Sequence, residues 1–377
     1  MTRNSLPTLS LALALTLTLT LTFMSCKDTG DDTPQLPPVE TESLYFPGIG
    51  TDEWATSTPD SLGWDTSKLD DLYTFMADNK TRAFLILKDG KIVVEKYWGK
   101  DILNINDFGP KTNWYWASAG KTVTSFLVGM AQEEGKLNIS DKTSDYLGKG
   151  WTSMDVTKED LITIRHQLTM TTGADYTVND IDCTDPGCIQ YKADAGTQWY
   201  YHNAMYTLLE SVVSKATSTD YNDYTDRKLE QAIGIENGIW IKTGYNNVYW
   251  SRARDAARFG LLILNKGRWG NTPVMTDTSY FNAMVTTSQQ LNPSYGYLWW
   301  LNGKSSIVYP GLPTNWKVSL SEAAPSDLFA AMGKNGQFID IVPSQNLVVI
   351  RMGEAPDGAL VPVQFHNEMW EKIMGLM

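Results

Sequence analysis

Hydrophobic and polar positions change period along this chain, and the changes divide it into three parts. Near the start of the regular pattern, "RAFLILKDGKIVVEKYWG" carries two β-rich runs around Asp89-Gly90, a dipeptide that favours a tight hairpin turn. Near the other end, "DLFAAMGKNGQFIDIVPSQNLVVIRMG" predicts at least two further strands with turn residues between them. "VPVQFHNEMWEKIMGLM" then closes the chain with the spacing of an amphipathic helix. Between these ends the period is helical. "GKTVTSFLVGMAQEEG", "TIRHQLTMTTG", "NAMYTLLESVVSKAT" and "SRARDAARFGLLILNKG" each place apolar residues on one face, the last with Ser251 as cap and Gly267 as stop. Strands at both ends with helices between them predict an α/β (α+β) fold. One antiparallel sheet takes strands from both chain ends, helices flank it, and a mostly helical subdomain is inserted. The expected division is an α/β part at about 44–115 and 295–377 and a helical part at about 116–294. A cleft between the two is the natural place for a site.

Composition agrees with a folded globule: 42% of the 377 residues are hydrophobic, and Trp and Tyr are frequent. The formal charge is -12 and there is no basic run, which argues against nucleic acid as a partner. The first 25 residues read as a processing segment rather than part of the fold. Arg3 gives a positive start, and Leu9 to Met24 form an apolar region too short and too Thr-rich for a convincing membrane span. "FMSC" resembles the cleavage region of a bacterial lipoprotein signal, which implies cleavage before Cys26 and lipidation of its thiol. The chain is then expected to be an exported lipoprotein, anchored to the outer membrane and facing the periplasm or the cell surface. Residues 26–43 read as an acidic, Pro-containing tether, and residues 44–377 as one compact domain. In an exported chain Cys183 and Cys188 can oxidise, since Asp185-Pro186-Gly187 supplies the turn between them. A metal site is not expected, because no second pair of ligands accompanies them.

The candidate chemistry centres on Ser118 and Lys121. Three residues apart at helical spacing, their side chains share a face, and Lys121 can reach the Ser118 hydroxyl. A serine in a first helical turn also has free N–H groups and the positive end of the dipole beside it. Lysine ordinarily titrates near 10.4, so a basic role requires burial, a neighbouring cation, or a phenol that shares the proton. Tyr-x-Asn occurs at Tyr201, Tyr245 and Tyr280, and spacing does not choose among them. Context favours Tyr201 and Asn203, on a Gly-initiated loop just before a helix. Trp114, Tyr115, Trp116, Trp199 and Tyr200 are candidates to wall the cleft. His202, between Tyr201 and Asn203, either lines the pocket or packs structurally. There are only three histidines and no Gly-x-Ser-x-Gly, which disfavours a histidine triad.

"WASAGKTVTS", "GTQWYYHN", "SRARDAARFGLLILNKGRW", "YGYLWW" and "GKNGQFIDIVPSQNLVVIRMG" follow one another in an order that resembles the serine β-lactamase and penicillin-binding-protein superfamily. The resemblance is to its class C β-lactamase-like branch of esterases, D-aminopeptidases and 6-aminohexanoate-dimer hydrolases. It implies the β-lactamase/transpeptidase-like fold and an acyl-enzyme on Ser118, with Lys121 and Tyr201 as general base. Asn203 would orient Lys121 and substrate, and the N–H groups of Ser118 and Gln337 would bind the oxyanion. A literal Lys-Thr-Gly stands at Lys242, ahead of the helix that should precede the third motif. The resemblance therefore assigns that motif to Lys334 and Gly336 on a late strand. No cofactor is implied. The expected partners are a small ester, amide or peptide substrate and the membrane, through the lipid anchor; the sequence leaves the oligomeric state open. The implied activity is ester or amide hydrolysis. The rivals are a β-lactamase or D-Ala-D-Ala carboxypeptidase acting on carboxylate-bearing substrates, and a non-catalytic penicillin- or peptide-binding module.

Overall fold

A computed structural model describes residues 44–377, so the expectations for the leader, Cys26 and the tether lie outside the described residues. The first regular elements are helix α1 (Leu69–Asp78) and strands β1 (Thr81–Lys88) and β2 (Lys91–Tyr97). The hairpin turns at Asp89-Gly90, both at positive φ, and a Cβ on Gly90 would stand 2.0 Å from the Tyr45 carbonyl oxygen. Only glycine fits there.

The middle of the chain supplies β3 (Asn113–Tyr115), α2 (Lys121–Glu133), α3 (Asn203–Thr217), β4 (Ile239–Thr243), β5 (Asn246–Arg252) and α4 (Ala253–Leu264). It is less helical than its periodicity predicts, because β3, β5 and β4 form a separate three-stranded antiparallel sheet in that order. The strand "NNVYWSR" alternates buried and half-buried positions, a period-2 signal hidden between two helical runs. The cap of α4 also differs. The Asp255 carboxylate accepts from the Arg252 N–H at 3.1 Å, while the Ser251 hydroxyl is bonded to the Trp116 indole.

The late strands are β6 (Trp300–Leu301), β7 (Ile307–Val308), β8 (Asn315–Trp316), β9 (Phe329–Gly333), β10 (Gln337–Val342) and β11 (Leu347–Gly353), followed by α5 (Val363–Leu376). The main sheet runs β2-β1-β11-β10-β9-β6, so β1 from the chain start pairs antiparallel with β11 from its end. Strand β10 shows how two faces of this sheet are used. Ile339 and Ile341 face α4, whose Gly260 approaches so closely that a Cβ would meet Val348 at 2.5 Å. Asp340 faces α5, accepting from His366 Nε2 at 2.8 Å and Trp370 Nε1 at 2.7 Å. Buried on both faces, the central strands read as largely apolar runs, interrupted by Asp340 in β10 and Arg351 in β11.

Candidate active site

A single 3-10 turn, Ala117–Gly120, leads into α2 and carries Ser118 at its second position. Ala117 adopts φ 48, a left-handed backbone that is costly for a residue with a Cβ. Immediately before it, the Trp116 N–H donates to the Tyr249 carbonyl at 2.8 Å, and the Trp116 indole packs edge-on against Tyr249. The turn is thereby fixed to β5 from below, and the strain is held in place by packing.

Lys121 Nζ lies 3.0 Å from Ser118 Oγ. The ammonium position is enclosed by aromatic rings, 4.1 Å from the centroid of Tyr206 and 5.0 Å from that of Tyr201. Burial disfavours the charged form and pulls the Lys121 pKa down to about 7, with the Asp182 carboxylate pulling the other way. Tyr201 is also buried, which pushes its phenol above the ordinary value of 10.0, and the hydrogen-bonding Ser118 hydroxyl opposes that rise. Its ring stacks on Trp300 at 5.9 Å and meets Tyr295 edge-on, so its hydroxyl is held toward the serine by a rigid aromatic wall.

These groups open into a cavity of about 320 Å³, within the range of small-molecule sites. Asn203 begins α3 and borders the cavity; its Nδ2 donates to Asp182 Oδ1 at 2.7 Å. Cys183 and Cys188 are joined as a disulfide beside this segment. From the opposite side β9 ends at Gly333, where a Cβ would stand 3.1 Å from the Ser118 nitrogen and 2.5 Å from the Trp116 carbonyl. Lys334 follows and lines the cavity.

Ser118, Lys121, Tyr201, Asn203 and Lys334 therefore share one cavity. Four other expected contacts do not reach it. Trp116 is a core residue under the turn, its indole donating to Ser251 Oγ at 2.9 Å. His202 is buried with neither ring nitrogen partnered, and burial lowers its pKa to about 4, so the imidazole is neutral. Gly336 sits at φ 78 in the β9–β10 turn, packed against Arg351 and Pro362. Gln337 pairs opposite Gly333 inside the ladder, and its side chain is bonded to the Gly353 carbonyl at 2.6 Å. The residue of this hairpin that meets the cavity is Lys334, so Gln337 is displaced from the place expected for it.

Of the aromatic group, Tyr200 lines the cavity, whereas Trp114 and Trp199 are in the core. Lys242 is exposed on β4, although its neighbour Thr243 does line the cavity, with Asn246 and Asn247. Sequence reasoning missed Tyr206, Asp182 and Gly333. Tyr206 had a usable signal, since it lies three residues after Asn203 on the same helical face.

A family model described as Beta-lactamase matches residues 74–359. The chain is 24% identical over 226 residues to the protein flp of Staphylococcus aureus (strain MW2), covering 56% of this chain and 42% of that protein. It thus spans less than half the length of the curated relatives it matches. Among solved structures, a candidate 6-aminohexanoate-dimer hydrolase from Bacillus anthracis superposes with TM-score 0.64 at 16% identity, covering 85% of this chain and 87% of the other. A family VIII carboxylesterase superposes with TM-score 0.61 at 15% identity, covering 88% and 99%.

Proposed function

The chain belongs to the β-lactamase family, and on that premise we propose that it is a serine hydrolase cleaving an ester or amide bond through an acyl-enzyme on Ser118. The observation that carries this reading is the contact of Lys121 with Ser118 inside an aromatic enclosure that leaves the lysine half-neutral near pH 7. Ser118 Oγ attacks the carbonyl carbon while its proton passes to the neutral amine of Lys121, with the Tyr201 hydroxyl as a relay between them, and the pair returns it to the leaving group as the scissile bond breaks. Water then takes the place of the leaving group; the same pair removes its proton and delivers it to Ser118 Oγ as the acyl–serine bond is cleaved. The N–H groups of Ser118 and Lys334 are the donors best placed for the oxyanion, given the approach of Gly333 to the turn.

The mixed lining suits a neutral ester or amide, with apolar Pro310, Leu360 and Val361 beside polar Thr243 and Asn246 among the residues that border the cavity. A second reading, hydrolysis of carboxylate-bearing β-lactams or D-amino-acid peptides, draws support from Lys334 in the cavity. Two active-site probes separate the readings. A fluorophosphonate and a fluorescent penicillin are incubated with the protein and the adducts mapped by mass spectrometry. Labelling of Ser118 by the phosphonate alone supports the esterase or amidase, and by both the β-lactam reading. Labelling by neither would leave a binding module. The same proposal includes export and lipid attachment at Cys26, which the mass of the mature N-terminal peptide tests.

A further inference from the structure

Asp182 stands in the cavity wall, and none of the chemical steps above uses it. Among the described residues it is the one carboxylate that lines the cavity. One of its oxygens accepts from Asn203 Nδ2 at 2.7 Å. A carboxylate can only accept, so the Asn203 amide must turn its nitrogen toward Asp182.

The segment around it is pinned at several points. The Asp182 N–H donates to Asp180 Oδ1 at 2.9 Å, and the Ala204 N–H donates to the Ile181 carbonyl at 2.9 Å. The Cys183–Cys188 disulfide closes the loop that follows, and the Tyr245 hydroxyl, from the turn between β4 and β5, donates to Asp185 at 2.6 Å. A charge fixed in this way acts on its surroundings at a constant distance.

The groups around Lys121 are few. Ser118 precedes it on its own turn, and Tyr201 and Tyr206 face it from the loop before α3 and from α3 itself. Burial raises both phenols, so both are neutral at physiological pH. Lys334 lines the same cavity from the turn that follows β9. Glu210 stands behind Tyr206, bonded to Asn247 Nδ2 at 2.9 Å, and burial raises its carboxyl as well. Asp182 is the negative group that shares the cavity with Lys121.

We propose that Asp182 is a positioning residue: its carboxylate, fixed by Asn203 in the wall of the cavity that Lys121 also lines, favours the protonated amine and so holds back its conversion to a base. The inference rests on the reading of Lys121 as the base. A carboxylate nearby favours the ammonium, so its field opposes the desolvation that frees the amine. The enzyme is thereby held back at acidic pH and released near neutrality.

The test is the pH dependence of kcat/KM for p-nitrophenyl acetate, an uncharged substrate, in the unaltered protein and in Asp182→Asn and Asp182→Glu. Asparagine can still accept from Asn203 and removes only the charge. Its acid limb is expected to move to lower pH, so that activity at pH 6, relative to its own plateau, rises about threefold, equivalent to roughly half a pH unit. Glutamate keeps the charge and should keep the limb near its original place. An unmoved or raised limb in Asp182→Asn, or a shift of the same size in Asp182→Glu, would overturn the proposal. If the unaltered protein labels at Ser118 with a fluorophosphonate while the limb stays still, only this inference falls. If Ser118 does not label at all, the hydrolase reading falls with it.

Discussion

Lys121 is where folding and the proposed chemistry pull against each other. Its pKa of about 7 in the folded chain, against 10.5 for a free lysine, means that folding expels a proton. The penalty is full below pH 7, shrinks as the pH rises from 7 toward 10.5, and vanishes above that. Lys121→Met should therefore melt at a higher temperature than the unaltered protein at pH 6, by a few degrees (~1–2 kcal/mol), while losing about 10³-fold or more in esterase rate. Differential scanning calorimetry and p-nitrophenyl acetate turnover check the two halves. The same value gives the rate profile its sign. Only the neutral amine accepts a proton, so log kcat/KM should fall with unit slope below an apparent pKa of about 7. A limb near pH 4 would instead point to a carboxylate base. The Ser118–Lys121 contact was legible because three-residue spacing alone brings two side chains to one face. The depth of burial was not, since it depends on Tyr206, Tyr201 and Trp300, which come from distant parts of the chain.

The element that completes the site is the β9–β10 hairpin, and its critical residue carries no side chain. Gly333 lets the strand end lie against the Ser118 turn, where a Cβ would press within 2.5 Å of the Trp116 carbonyl. Its own backbone, φ -127, accepts any residue. Gly333→Ala should therefore act through displacement, not through backbone strain. It should lower kcat by about 10²-fold while costing only ~1–3 kcal/mol of stability, measured by urea denaturation. The sequence located this hairpin and both its strands, because the apolar runs "FAAM" and "FIDIV" flank a clear turn. It did not show which turn residue faces the cavity. A period of two leaves that choice to the register, and the register pairs Gly333 with Gln337. The three-stranded sheet behind the Ser118 turn was missed for a related reason: β3 spans only three residues, too few to show a period.

At the scale of the molecule, the site depends on a sheet that joins the two ends of the chain. Arg351 on β11 secures that junction with no carboxylate among its described hydrogen-bond partners. Its guanidinium donates to the Asn79 carbonyl at 2.8 Å, the Glu354 carbonyl at 3.0 Å and the Gly336 carbonyl at 3.1 Å. Burial depresses its pKa to about 9. It thus binds the segment before β1 to the turn that follows Lys334. Arg351→Met would leave these carbonyls unpaired and should destabilise the fold by about 3–5 kcal/mol, read as a lowered denaturant midpoint. The shared sheet and the cleft were legible from strands at both ends of the sequence and helices between. An arginine inside "LVVIRMG" gave no such notice, because its partners, the Thr81 hydroxyl and several backbone carbonyls, are brought together only by the assembled fold.

The central claim is that Ser118 carries the acyl group during turnover. The direct measurement is to quench the protein with acid during steady-state hydrolysis of p-nitrophenyl acetate and map the digest by mass spectrometry. The account predicts one acetyl group on the peptide containing Ser118, absent in Ser118→Ala along with turnover. Sustained turnover in Ser118→Ala, or an acetyl group carried by a different residue, would contradict it.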